Sequence, residues 1–144
     1  MNKLPESTAE YRLKIPSQTG NLELIREFVS RLAAKVDFNT EDVNKIELAV
    51  DEACTNVIKH AYKKNEKQVI DIVVKTDNNK FTIVITDKGK GFDASKLKTP
   101  DMKKYLTEMR VGGLGIHLMQ NLMDEINFDI QPGVKNQVKL VKYF

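Results

Sequence analysis

The chain has 144 residues, 41% of them hydrophobic and 30% charged, and a formal net charge of +3. That length suits one domain with a core of its own. The lysines are interleaved with acidic residues, which argues against a dedicated nucleic-acid surface, and no apolar run approaches the roughly 20 residues that span a bilayer.

In chain order, the opening MNKLPESTAEYR has no apolar signal-like core, so a cytoplasmic protein without membrane contact is expected. YRLKIPS places Tyr11, Leu13 and Ile15 on one side, the pattern of a first strand closed by Pro16. From Asn21 to about Val36, Leu22, Leu24, Ile25, Phe28, Val29, Leu32 and Ala33 repeat at helical spacing, with Asn21 as the expected N-cap. Thr40 is expected to cap a second, longer helix, with Glu41 and Asp42 at its positive end. QVIDIVVK and KFTIVITD flank the turn cluster TDNNK and read as a hairpin. DKGKGFDASKLKTPD is a long polar stretch, of the kind that in a compact domain usually serves function. GGLG opens a third helix running to about Asp124, and NFDI and QVKLVKYF close the chain as strands around QPGVKN. The order βα-α-ββ-α-ββ, with neighbouring strands paired, predicts an α+β two-layer sandwich, its sheet mainly antiparallel and its helices on one face. Cys54 has no cysteine companion and is expected to act as a small buried hydrophobe.

Three polar features stand out against this scaffold. On the second helix, Val43, Ile46, Ala49, Val50, Ala53, Val57 and Ala61 form the core-facing arc, with Asn56 and His60 at its border and Glu52 just outside. Residues 52, 56 and 60 therefore form a polar ridge suited to lining a cleft, although a lone Glu/Asn pair is more simply a solvated helix edge. In FTIVITD, alternation puts Asp87 on the inward face with Phe81, Ile83 and Ile85. An inward carboxylate needs a donor; a turn-initiating Asp before glycine is the plainer alternative. Gly112, Gly113 and Gly115 surround the start of the third helix, where unshielded backbone N–H groups suit phosphate oxygens. There is no G-x-x-x-x-G-K-[ST], which excludes a P-loop, and GGLG does not follow a strand within a βαβ unit.

In series, EACTN (52–56), DKGKG (87–91) and GGLG (112–115) resemble the ATP-binding domain shared by gyrase, heat-shock chaperones, histidine kinases and MutL, the Bergerat-type fold. ELAVDEACTNVIKHAY and GGLGIHLMQNLMDEI look closer still to the stand-alone serine kinases of the RsbW and SpoIIAB type, which act as anti-sigma factors. The resemblance covers nearly all of residues 1–144 as a single domain. It implies ATP and magnesium as cofactors, Asn56 as a magnesium ligand, and Glu52 as the general base toward a serine hydroxyl. It implies that Asp87 accepts from the adenine amino group while Gly89 and Gly91 let the backbone pass close to the base. Gly112, Gly113, Leu114 and Gly115 would bind phosphates under a lid of about residues 95–111, with Lys59, His60 and Arg110 as further phosphate contacts. Where the family often has a Gly-Thr pair supporting the Asp, this chain reads VKNQV, with Asn136 as the comparable polar side chain.

The implied function is a protein serine/threonine kinase that phosphorylates a STAS-domain anti-anti-sigma protein and sequesters a sigma factor, as a homodimer. Two alternatives stand beside it. A histidine kinase catalytic domain would need its phosphoacceptor in trans, because the only histidines, His60 and His117, lie within the ATP motifs. A nucleotide-gated binding module without phosphotransfer would not require a base at Glu52.

Overall fold

The computed structural model describes residues 8–58, 68–88, 115–131 and 134–144, with the first turn of the helix at 115 described by its backbone. The elements are β1 (Ala9–Pro16), α1 (Leu22–Ala33), α2 (Thr40–Asn56), β2 (Val69–Thr76), β3 (Lys80–Asp87), α3 (Gly115–Leu122), β4 (Glu125–Gln131) and β5 (Lys135–Tyr143). This is the expected order. The strands form one sheet in the order β1-β2-β3-β5-β4, and every pairing described is antiparallel.

Both early helices begin differently from expectation. Asn21 precedes α1 but makes no side-chain cap; its Nδ2 instead donates to the Pro16 carbonyl at 2.8 Å, and a single 3-10 turn, Thr19–Asn21, leads into the helix. Asn21 is thus spent on closing the β1–α1 connection. The cap of α2 is Asn39, one residue before Thr40: its backbone is extended, and its Oδ1 accepts from the Asp42 N–H at 2.7 Å. Asn caps as well as Thr, so the sequence offered two neighbouring candidates and the chain uses the first. The third helix also stops earlier than expected, at Leu122, before a bend at Met123 and Asp124.

The hairpin between β2 and β3 turns at Asp77–Asn79, where Asp77 Oδ1 accepts from the Asn79 N–H at 3.0 Å. Its two strands send Ile70, Ile72 and Val74, and Phe81, Ile83 and Ile85, to the helical side, all of them buried. Against this face pack Ile25, Val29 and Ala33 of α1, Ile46, Ala49, Val50 and Ala53 of α2, and Met119 of α3. The 12-residue α1 lies against α2, and α2 in turn contacts both α3 and β3. Phe38, in the α1–α2 connection, closes one end of the core edge-on to Phe81 (5.6 Å) and Phe144 (5.3 Å). The opposite face of the sheet carries Arg12, Asp71, Lys75, Thr86, Lys135 and Gln137 around a shallow hollow that also touches Val73 and Val84.

One lysine breaks the apolar pattern of the inner face. Lys142 has core parity on β5 and is 8% exposed; its Nζ donates to the Leu122 carbonyl at 3.1 Å and lies 3.9 Å from Asp42 Oδ1. A cation at the last carbonyls of α3 opposes the negative end of that helix, and the ammonium ties the end of α3 to the start of α2.

Candidate active site

Helix α2 positions the first two candidates. Its buried residues Ile46, Ala49, Val50 and Ala53 fix the rotation of the helix about its axis, and that rotation carries Glu52 to a half-buried border and Asn56 to the inside. Asn56 is 4% exposed, deeper than the border position expected from the helical wheel. Its Nδ2 has no hydrogen-bond partner among the described residues. Leaving a buried polar atom unpaired costs about 1–3 kcal/mol, so the amide is placed to take a partner beyond the described residues. Glu52, one turn earlier, has no hydrogen-bond or ion-pair partner among the described residues. Its neighbour Asp51 is different: it accepts from Arg26 Nε and Nη2 at 3.3 and 3.2 Å, joining α2 to α1. The two adjacent carboxylates are thereby set apart, Asp51 tied to α1 and Glu52 without such a tie among the described residues.

Between Glu52 and Asn56 in the helix, Cys54 is fully buried. Burial, and secondarily the Asp51 carboxylate, push its thiol far above the ordinary range, so it stays neutral and packs as the small hydrophobe the sequence suggests.

The end of β3 supplies Asp87. It is 4% exposed and faces the helical layer with Phe81, Ile83 and Ile85, as alternation requires. In the β3–β5 register its partner is Asn136, 3% exposed, whose Nδ2 donates to Asp87 Oδ1 at 3.0 Å. This bond matches the polar support that sequence reasoning located at VKNQV. Next to it on the outer face, Gln137 Nε2 donates to Thr86 Oγ1 at 3.1 Å, so the two strand ends are pinned on both sides.

Helix α3 begins at Gly115, the last of the four residues in GGLG. Its contact with α2, and the contact of α2 with β3, place the three motif-bearing elements in one packed group. Lys59, His60, Gly89, Gly91, Arg110, Gly112, Gly113, Leu114 and the segment 95–111 lie outside the described residues. The tie between Arg26 and Asp51 and the buried Lys142 were not anticipated; for Lys142 the available signal was its parity with Val138 and Leu140 in QVKLVKYF.

The donor set fits a magnesium ion carried on phosphate. Among the described residues no three His, Cys, Asp or Glu side chains cluster to hold a metal by themselves. Magnesium bound through a nucleotide needs only one or two protein oxygens and keeps phosphates and waters for the rest. The amide of Asn56 offers such an oxygen after a half-turn of its terminal group, which exchanges the positions of O and N at little change in shape.

Residues 15–142 match the model of the histidine kinase-like ATPase domain. The serine-protein kinase RsbW of Bacillus subtilis is 30% identical over 144 aligned residues, covering 96% of this chain and 88% of the relative. RsbW of Staphylococcus aureus is 35% identical over 136 residues, covering 91% and 84%. Among solved structures, a Mycobacterium tuberculosis protein with RsbU and RsbW domains superposes with a TM-score of 0.66 over 93% of this chain at 12% identity, a likeness of fold. The chain spans 32% of that larger protein.

Proposed function

The chain belongs to the histidine kinase-like ATPase domain family, in its RsbW serine-protein kinase branch, and from that membership we propose a site in which α2, β3 and α3 carry a phosphoryl transfer from ATP to a protein serine. Asp87 receives the adenine amino group at the buried end of β3. The backbone at the start of α3, around Gly115 and the preceding Gly112, Gly113 and Leu114, receives the phosphates, as helix N-termini do. Asn56 supplies a hard oxygen to magnesium. Bound there, the ion neutralises negative charge on the phosphates. Glu52 takes the proton from the serine hydroxyl as its oxygen bonds to the terminal phosphorus and the bond to the ADP leaving oxygen breaks. Lys59, His60 and Arg110 are assigned to the phosphates, Gly89 and Gly91 to the base, and 95–111 to a lid, from the sequence alone.

The observation that carries this reading is on α2: a buried amide with an unpartnered nitrogen, one turn from a carboxylate free of ion pairs among the described residues. An amide nitrogen buried without a partner among the described residues is a group that a ligand can engage. The serine-bearing substrate we assign is a STAS-domain anti-anti-sigma protein, and the sequestered partner a sigma factor, with the chain acting as a homodimer in the cytoplasm.

The test is phosphate transfer from labelled ATP to a STAS-domain protein of the same genome. Glu52→Gln preserves shape but cannot take the proton, so the transfer rate falls by about 10²–10⁴-fold while ATP affinity is retained. Transfer by this variant at the parental rate removes Glu52 from catalysis. ATP binding with no transfer to any serine-bearing partner would instead indicate a nucleotide-gated binding module.

A further inference from the structure

We propose that Lys142 is a positioning residue for phosphoryl transfer: its ammonium fixes where α3 sits along α2, and so aligns the phosphate-binding start of α3 with Glu52. The inference rests on the site assigned above and deepens it. Lys142 lies on the core face of β5, 8% exposed, and its Nζ donates to the Leu122 carbonyl at 3.1 Å while lying 3.9 Å from Asp42 Oδ1. Leu122 is the last residue of α3 and Asp42 the third of α2. The last turn of one helix thus meets the first turn of the other, and the two pack together, so both run from the ammonium in the same direction. At 1.5 Å per residue, α2 carries Glu52 and Asn56 roughly 15 and 21 Å from Asp42, and α3 reaches back to Gly115 over roughly 10 Å.

Three consecutive residues of β5 hold this end of α3, each in its own way. The Val141 carbonyl accepts from the Asp124 N–H at 2.9 Å, and the Tyr143 N–H donates to Asp124 Oδ2 at 2.7 Å, so both grip the turn after the helix. Of the three, Lys142 bonds the helix itself and faces α2 as well. Val138 and Leu140, which share its parity, are buried and apolar. Apolar replacements of buried ion pairs are often neutral or stabilising, so packing alone does not call for an ammonium at 142. What the ammonium adds is direction. A charge-assisted bond to one carbonyl, with one carboxylate facing it, selects a single sliding position between two helices whose apolar contacts are non-directional. That position is passed to the opposite ends of both helices, where the phosphates and Glu52 must align. A misplacement of about 1 Å at reacting groups can cost on the order of 10²-fold in rate.

The test is steady-state phosphate transfer from ATP to the STAS-domain protein of the same genome, by the parent chain, Lys142→Met and Asp42→Asn. Melting curves fix an assay temperature at which each is fully folded. Met keeps an unbranched, flexible stem without the charge. Asp42→Asn removes the facing charge while leaving the backbone N–H that Asn39 caps. Lys142→Met is expected to lower kcat on the order of 10-fold or more with KM for ATP within about threefold of the parent, because the binding contacts remain and their alignment with Glu52 is lost. Asp42→Asn is expected to lower kcat by about threefold in the same way, the scale of one partly exposed ion pair. A folded Lys142→Met with the parental kcat overturns the inference. So does a loss confined to KM for ATP, which is what a general loosening of the nucleotide site gives. If Lys142→Met does not fold, Asp42→Asn decides, and a parental kcat there overturns the inference. A parent chain that transfers no phosphate refutes the site assignment itself, and is recognised before any variant is compared.

Discussion

Replacing Asp87 by Asn tests the base pocket at its most buried polar group. In the parent chain Asp87 Oδ1 accepts from Asn136 Nδ2 at 3.0 Å. An amide at position 87 can keep this bond with its own oxygen, so the strand ends stay paired and melting should move little. The cost falls on the ligand, since the group turned to the base would then be an NH₂ facing another amine. A hydrogen bond to a charged partner is worth about 1.5–3 kcal/mol, and Asp87, 4% exposed, makes it away from water. At about 1.4 kcal/mol per tenfold, losing it weakens ATP by roughly 10- to 150-fold. Relaxation reduces the loss: if both amides turn over, a neutral carbonyl meets the base, and only the charge assistance, about half of the bond's strength, is lost, which leaves roughly a 3- to 12-fold weakening. The assay is calorimetric titration of ATP at fixed magnesium into both proteins, with melting curves as the control for folding. A folded Asp87→Asn variant that binds ATP as tightly as the parent would refute the placement of the adenine against this carboxylate.

Two further outcomes follow from α2. Asn56→Ala removes the proposed magnesium ligand together with an unpaired buried amide. ATP affinity should drop in the presence of magnesium while the difference from the parent shrinks in its absence; an equal loss in both conditions would make Asn56 a purely structural group. Cys54 makes stability depend on alkaline pH. Its folded pKa is raised from an ordinary value of 9.0, so the unfolded chain loses the proton first, and stability present below that value declines as pH rises above it. Denaturant unfolding of parent and Cys54→Ala should diverge above pH 9 by at most about 1.4 kcal/mol per pH unit, with the parent declining faster; parallel curves would show that the thiol is not protected by burial.

Much of this arrangement is legible in local sequence. Alternation in FTIVITD is enough to turn Asp87 inward, because side chains of a strand alternate whatever lies beside it. The spacing of Glu52 and Asn56 places them one turn apart on any helix, and the apolar arc of α2 identifies its buried side. The start of α3 at Gly115 follows from the glycine cluster and the apolar stripe behind it. Local sequence is weaker where neighbouring residues compete for one task, as Asn39 and Thr40 do for the cap of α2, or where a side chain finds a distant acceptor, as Asn21 finds Pro16. What only the tertiary structure decides is the sheet order. β5 inserts between β3 and β4, which brings Asn136 beside Asp87 across 49 residues of chain. The same insertion turns Lys142 toward the last carbonyl of α3, giving an ammonium at a core position the acceptor that makes its burial tolerable. Strand pairing between segments far apart in the chain depends on which pairing buries the most apolar surface with every backbone group bonded. That is a property of the whole sheet, whereas the pattern within one strand records only which of its faces is buried.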